Sequence, residues 1–146
     1  MTRSPIVDTV AQLIFHSAIV LSLYLLFAGH NQPGGGFVGG LVASAAVAVH
    51  YVAGGIDDVR SLSRLRPWTI LGSGLVLAGV AAVAPLIGGG AVLESGYLLD
   101  ADLPVLGHVK VLSTLVFDAG VYAVVVGLML MVFEAVGEEA EPEGRR

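Results

Sequence analysis

The stretch Trp68–Ile87, WTILGSGLVLAGVAAVAPLI, contains no charged residue and offers no polar face. A helix on the surface of a soluble bundle needs a polar side that faces water, so this stretch does not suit the alternative of a soluble helical bundle. About 20 predominantly apolar residues are sufficient to cross a hydrocarbon core roughly 30 Å thick. The stretch therefore predicts a membrane-spanning helix.

The rest of the chain repeats this pattern. The predicted spans are residues 6–28, 34–53, 68–87 and 111–136. The 146 residues are 55% hydrophobic and 13% charged, with a mean hydropathy of +0.86, whereas soluble domains carry about 25% charged residues. The first span is too long for the apolar region of a signal peptide, and no small-residue cleavage site follows it. We predict an all-α integral membrane protein with four transmembrane helices over residues 1–137 and an acidic cytoplasmic tail over residues 138–146.

The basic residues indicate an orientation, because the cytoplasmic loops of membrane proteins are enriched in Lys and Arg. With four spans, six arginines fall on one side: Arg3, Arg60, Arg64, Arg66, Arg145 and Arg146. Lys110 falls on the other side. We therefore predict that both termini are cytoplasmic and that the loop between the third and fourth spans lies outside and contains a short hairpin. The chain has a net charge of −5, to which the tail contributes four glutamates and two arginines, and this acidic balance argues against a nucleic-acid partner.

The segment HNQPGGGFVGG contains the spacing G-x-G-x-x-G at Gly34, Gly36 and Gly39. A dinucleotide-binding loop needs a strand before these glycines and an acidic residue about 20 positions after them. Here a membrane helix precedes the glycines, and the acidic residue at the right distance, Asp57, falls on the opposite side of the membrane. The segment therefore predicts no nucleotide site, and no cofactor is expected.

Close helix packing explains the glycines instead, because small residues let membrane helices approach one another. The fixed φ angle of Pro33 suits a first helical position and predicts that the second helix begins there. The candidates for helix packing are Gly35, Gly36, Gly39, Gly40 and Ser44 on the second helix and Ala119, Ala123 and Gly127 on the fourth. Gly74, Ala78 and Ala82 form a similar stripe on the third helix.

Ionisable residues inside spanning segments are costly, and they are functional candidates by default. Lys110, Thr114, Asp118 and Tyr122 recur every four residues, so the sequence places them on one face of the fourth helix. Two interpretations of Asp118 stay open: it handles a cation or proton, or it hydrogen-bonds a neighbouring helix. His16, at the middle of the first helix, is interpreted as an interhelical hydrogen-bonding residue or a proton relay. The four histidines lie on different segments without ligand spacing, so no metal site is predicted.

Two blocks of sequence closely resemble the B subunit of multisubunit Mrp-type sodium/proton antiporters, the MnhB/MrpB family. They are LYLLFAGHNQPGGGFVGGLVASAA, Leu23–Ala46, and LPVLGHVKVLSTLVFDAGVYAVVVG, Leu103–Gly127. The motif positions of the outer turn are His30, Asn31, Pro33, Gly34 and Phe37, and those of the second block include Phe117, Asp118, Gly120 and Tyr122.

The resemblance implies an accessory membrane subunit of a hetero-oligomeric Na⁺/H⁺ antiporter in a bacterial or archaeal cell membrane. Such a complex is driven by the proton gradient and contributes to sodium efflux and pH homeostasis. The implied partners are the other antiporter subunits, membrane lipid, Na⁺ and H⁺. Two alternatives stay open: a purely structural scaffold without ion contact, and the equivalent subunit of a membrane-bound hydrogenase-type complex. No nucleophile–base pair supports an enzyme.

Overall fold

The computed structural model describes residues 5–29, 33–62, 65–87, 89, 97–103 and 107–140. The elements in chain order are α1 (Pro5–Ala28), α2 (Gly36–Gly54), α3 (Ile56–Leu62), α4 (Pro67–Ile87), β1 (Tyr97–Leu103), β2 (Gly107–Leu112) and α5 (Ser113–Ala140). Within this part of the chain, four helices (α1, α2, α4 and α5) are long and apolar enough to cross a membrane. The predicted fold class, a four-span helical membrane protein with a short hairpin, is confirmed.

The helices pack in the order α1, α2, α5, α4, because α1 lies on α2, α2 on α5, and α5 on α4. Within the chain, 39% of the residues in the α2 span are buried, whereas only 6% of those in the α4 span are buried. The buried residues of α2 are mostly glycine, alanine and serine, which permit a close approach from two sides. The centre of the protein is therefore the α2–α5 pair, while α1 and α4 each keep one face turned outward.

A short helix that the sequence analysis did not predict, α3, follows α2 directly. Gly55, at φ +78°, ends α2 and redirects the chain. Asp57 and Asp58 then lie in the first turn of α3, where acidic residues complement the positive end of the helix dipole. Ile56 and Val59 are buried in an apolar cluster with residues of α2 and α5. The loop that carries the arginines is thus partly folded onto the end of the bundle.

The hairpin corrects the predicted position of Lys110. Strands β1 and β2 are antiparallel, with Asp100 opposite Lys110 and Asp102 opposite His108 in the register. Lys110 therefore belongs to a strand and does not share a helical face with the polar residues of α5. The β-branched Val109 and Val111 favour the strand, so α5 begins at Ser113 instead of the predicted residue 111.

Two other predicted boundaries also differ from the structure. Pro33 was predicted to begin the second helix, but α2 begins at Gly36. Gly35 adopts φ +97°, outside the helical range, and its N–H donates to the carbonyl oxygen of Leu25 at 2.9 Å, which holds the turn against α1. At the other end of the chain, α5 continues to Ala140, so residues 138–140 are helical although they were assigned to the tail. The predicted motif residues His30 and Asn31, and tail residues 141–146, lie outside the described residues.

Candidate functional site

The turn between α1 and α2 brings Asp118 of α5 against the start of α2. A Cβ atom added to Gly34 would lie 2.6 Å from the carbonyl oxygen of Leu25, and one added to Gly36 would overlap the backbone of Asp118. Only residues without a side chain permit these two contacts. The three consecutive glycines, with Gly35 between them, therefore let three helices meet at one point.

The carboxylate of Asp118 lies beside the N-terminus of α2. Its Oδ2 atom is 3.4 Å from the position that a Cβ of Gly35 would occupy, and the residue is half-buried. The first N–H groups of a helix have no partner within the helix, and together with the helix dipole they favour a nearby negative charge. Asp118 is thus a carboxylate in a membrane-spanning helix whose charge is complemented by a helix end. A carboxylate can in general bind a cation or accept a proton.

One helical turn further along α5, Tyr122 joins a hydrogen-bond chain that connects three helices. Ser22 of α1 is fully buried, and its hydroxyl donates to the carbonyl oxygen of Gly39 in α2 at 2.9 Å. The hydroxyl of Tyr122 is 2.8 Å from the same Ser22 oxygen. Because the single proton of Ser22 is directed to Gly39, Tyr122 must be the donor in this contact. The Tyr122 proton therefore points toward Ser22 and holds α5 to the α1–α2 pair.

The remaining small residues of α2 lie on two sides of that helix. A Cβ on Gly39 would lie 2.8 Å from the carbonyl oxygen of Ser22, and one on Gly40 would lie 2.8 Å from the Cβ of Val125. Gly39 thus faces α1 and Gly40 faces α5. Ser44 is buried, and its hydroxyl donates to the carbonyl oxygen of Gly40 at 2.7 Å, so its polar group is satisfied within α2.

The structure places the other predicted polar and motif residues elsewhere. Lys110 is on the hairpin, and Thr114 lies in the first turn of α5, one turn before Asp118. His16 is exposed on the outer face of α1, away from the buried face that carries Ser22. Pro33 and Phe37 are also exposed, Phe37 by 57% of its surface. The described contacts place two of the five predicted polar residues, Asp118 and Tyr122, at the interface of α5 with α2 and α1.

The contact between α4 and α5 keeps two members of the predicted stripe of α5 and replaces the first. Gly120, Ala123 and Gly127 approach α4, whereas Ala119 was the predicted first member. A Cβ on Gly120 would lie 2.6 Å from the backbone nitrogen of Ala78, and one on Gly127 would lie 2.5 Å from that of Leu71. Glycine permits a closer backbone approach than alanine, so the helices settle on the glycine side of the stripe.

Sequence reasoning missed Ser22, and it named Gly120 as a motif position without assigning it to helix packing. The antiparallel α1–α2 hairpin contains a signal for Ser22, because residues at equal distances from the middle of the turn face each other. Ser22 and Gly39 are symmetric about residues 30 and 31, as are Leu26 and Gly35, so a buried polar residue opposite a glycine could have been identified. Among the described residues no group of histidine, cysteine or acidic side chains could hold a metal ion.

Comparison with known proteins adds the family to this geometry. A family model described as "Domain related to MnhB subunit of Na+/H+ antiporter" matches residues 6–131. The chain belongs to the MnhB family. Both the α1–α2 turn and the Asp118–Tyr122 segment lie within the matched range, so the candidate site is part of the MnhB domain itself.

Curated relatives match the MnhB chain over nearly its whole length. The B subunit of the Na(+)/H(+) antiporter of Bacillus subtilis (strain 168) is 36% identical over 140 residues, which are 94% of this chain and 96% of the relative. The protein of the same name from Alkalihalophilus pseudofirmus is 31% identical over 137 residues, 92% of each chain.

A solved structure contains the same fold. One chain in the structure of the Mrp complex from Dietzia sp. DQ12-45-1b is similar to this MnhB chain with a TM-score of 0.77 and 26% identity. The similarity covers 98% of this chain but 16% of that chain. In the Dietzia complex, an MnhB-like fold is therefore a small part of a much longer polypeptide.

Proposed function

We propose that this chain is an accessory membrane subunit of a multisubunit Na⁺/H⁺ antiporter and lies in the bacterial plasma membrane as a multi-pass protein. The observation that carries the proposal is the match, over at least 92% of both sequences, to relatives named as the B subunit of a Na(+)/H(+) antiporter. A match of this extent involves the whole subunit and not one shared segment. It favours a transporter subunit over an enzyme, and an antiporter over a hydrogenase-type complex.

Within this subunit, Asp118 is the residue proposed to handle the transported ions. A carboxylate supplies the oxygen ligands that hard cations such as Na⁺ require, and it can equally accept a proton. The N-terminus of α2 offers the carboxylate an alternative partner whenever neither ion is bound. The site can therefore exchange one ion for the other without leaving an uncompensated charge inside the membrane.

The proposed orientation places this site toward the outer surface. The arginines of the loop between α2 and α4 mark the cytoplasmic side, so the α1–α2 turn, the hairpin and the beginning of α5 face outward. Asp118 then lies about 7–8 Å along α5 from its outer end, at 1.5 Å per residue. This depth suits exchange with the outer solution during sodium efflux driven by the proton gradient.

A scaffold without ion contact is the second candidate function, and the hydrogen bonds of Ser22 support it. The Tyr122–Ser22–Gly39 hydrogen bonds join α1, α2 and α5 through protein groups alone, so this connection needs no bound ion. In this alternative Asp118 would complement the α2 helix end and do nothing more. The two candidate functions predict different ion-exchange rates when the charge of Asp118 is removed and the shape of its side chain is kept.

The test is sodium/proton exchange in everted membrane vesicles that carry the whole complex with Asp118→Asn. Losing an interaction with a charged group, worth about 1.5–3 kcal/mol, predicts an exchange rate lower by roughly tenfold or more. The matched control is Asp57→Asn, which removes an exposed carboxylate at the opposite end of the bundle and is expected to leave exchange unchanged.

Assembly is measured on native gels for both variants. Normal assembly with lost exchange supports the ion role of Asp118. Normal assembly with normal exchange contradicts it, and failure to assemble favours the scaffold.

A further inference from the structure

The outward face of α1 is large and uncovered in the single chain. Leu13, Val20 and Phe27, spaced seven residues apart, are 68%, 68% and 62% exposed. His16 lies three residues after Leu13 and four before Val20, so it shares this side of the helix. The opposite side, with Ala11, Ser22 and Leu26, is buried. We call the four outward residues Leu13, His16, Val20 and Phe27 the His16 face.

The His16 face is unsuited to lipid. His16 lies at the middle of the 24-residue helix α1, and the neighbouring Gln12 is exposed as well. Moving an amide from water into a medium without hydrogen-bonding groups costs about 4–8 kcal/mol, and polar residues in membrane spans accordingly face protein or water-filled cavities.

The outward face of α4 has a different composition. Its most exposed large residues along the middle of the helix, Leu75, Val76, Val80 and Val83, are all apolar and can contact lipid without a hydrogen-bond partner.

The ring of His16 has a defined hydrogen-bonding state toward the outside. Its Nδ1 atom is 2.6 Å from the carbonyl oxygen of Gln12. A carbonyl can only accept, so Nδ1 carries the hydrogen, and the neutral ring then presents the lone pair of Nε2. The edge-to-face contact with Phe15, at 5.8 Å between ring centroids, helps to fix the ring plane. In this form of the ring, Nε2 can accept a hydrogen bond from a donor outside the chain.

We propose that the His16 face is the docking surface for a transmembrane helix of a different antiporter subunit, which donates a hydroxyl or amide hydrogen to Nε2 of His16. This inference rests on the proposed function. We assign the partner to a different subunit and not to a second copy, because in the Dietzia complex the part similar to this chain makes up 16% of one chain and is covalently continuous with a far longer polypeptide. The bulky side chains around His16 supply apolar packing, and His16 fixes the register.

The experiment places a photo-activated benzophenone residue on each outward face of this chain in the tagged, intact complex. Val20→benzoylphenylalanine probes the His16 face, and Val80→benzoylphenylalanine is the matched control on α4, since the two valines are similarly exposed at 68% and 61%. After irradiation, cross-linked products are separated by size, and the partner is identified by mass spectrometry. We expect the Val20 probe to cross-link to another subunit at least tenfold more than the Val80 probe.

A second variant tests the hydrogen bond. In the Val20 probe background, His16→Leu is expected to lower the cross-link at least fivefold. His16→Gln, which keeps an acceptor, is expected to retain most of it.

The outcomes separate this inference from the proposed function. If no other subunit co-purifies with the tagged chain, the proposed function itself fails. If subunits co-purify but the Val20 probe reacts only with lipid, or yields a dimer of this chain, the docking surface is wrong. An unchanged cross-link in His16→Leu would overturn the role of His16.

Discussion

Helix α5 has two close contacts with other helices, one with α2 and one with α4, and the two differ in chemistry. Both depend on glycine. Gly36 of α2 meets the backbone of Asp118, and Gly120 of α5 meets the backbone of Ala78. The contact with α2 also includes a carboxylate at a helix end and the hydroxyl of Tyr122. The described glycine contacts with α4 involve only backbone atoms and the side chains of alanine and leucine.

The comparison shows that a small-residue stripe provides proximity and nothing more. Two membrane helices can approach closely wherever side chains are absent. The proposed function requires in addition a polar group that this proximity brings to a defined partner, as Asp118 is brought to Gly35. Substitutions that disturb the packing of the two contacts to the same extent should therefore lower ion exchange more at the α2–α5 contact than at the α4–α5 contact.

The largest effect is expected for Gly36→Ala. The added methyl group would overlap the carbonyl of Asp118, and a backbone atom cannot move aside as a flexible side chain can. We expect a loss above the usual 1–3 kcal/mol for overpacking, about 3 kcal/mol or more, and little assembled complex on native gels. Gly72→Ala, which has nothing within 4 Å, is the matched control. Equal yields of the two variants would contradict the proposed close contact.

Gly120→Ala is expected to have the next largest effect. Its Cβ would lie 2.6 Å from the nitrogen of Ala78, with a cost of about 1–3 kcal/mol that appears as a lower melting temperature of the complex. Because glycine and alanine make this contact, exchange per assembled complex should stay near that of the unmodified protein. A loss of exchange beyond the loss of assembled complex would show that the α4 contact also affects ion handling.

Smaller effects are expected for the hydrogen-bond chain. Ser22→Ala removes the acceptor of Tyr122 and the donor to Gly39, with an expected loss of about 1–2 kcal/mol, whereas Tyr122→Phe leaves the Ser22–Gly39 bond intact and should lose about 0.5–1.5 kcal/mol. The double variant should lose less than the sum of the two, because they share one bond. Thermal unfolding of the four proteins measures this coupling, and strict additivity would exclude it.

The smallest effect is expected for Gly79→Ala on the outward side of α4. Nothing lies within 4 Å of the added methyl group. Alanine is the better helix former by up to about 1 kcal/mol, so the melting temperature should stay the same or rise slightly. A clear decrease would indicate that another subunit packs closely against this face.

Much of the fold was accessible from the sequence because the length of an apolar run is a local property. The charge-free stretch Trp68–Ile87 corresponds to α4 within one residue at its start. Two of the boundaries that differ, at Pro33 and at Lys110, lie where a contact with another element competes with the local preference. Gly35 is held to Leu25 of α1, and the residues around Lys110 pair with β1.

The sequence by itself determined that this protein has four membrane spans, a glycine-rich turn and an acidic residue inside the last span. Only the tertiary structure decided that Asp118 lies at the start of α2, that Tyr122 binds Ser22, and that His16 faces outward. Small-residue stripes occur on three helices, so the stripes alone permit several pairings and rotations. The pairing that forms depends on which helix backbones can approach each other closely. In this protein those approaches are Gly36 to Asp118 and Gly39 to Ser22.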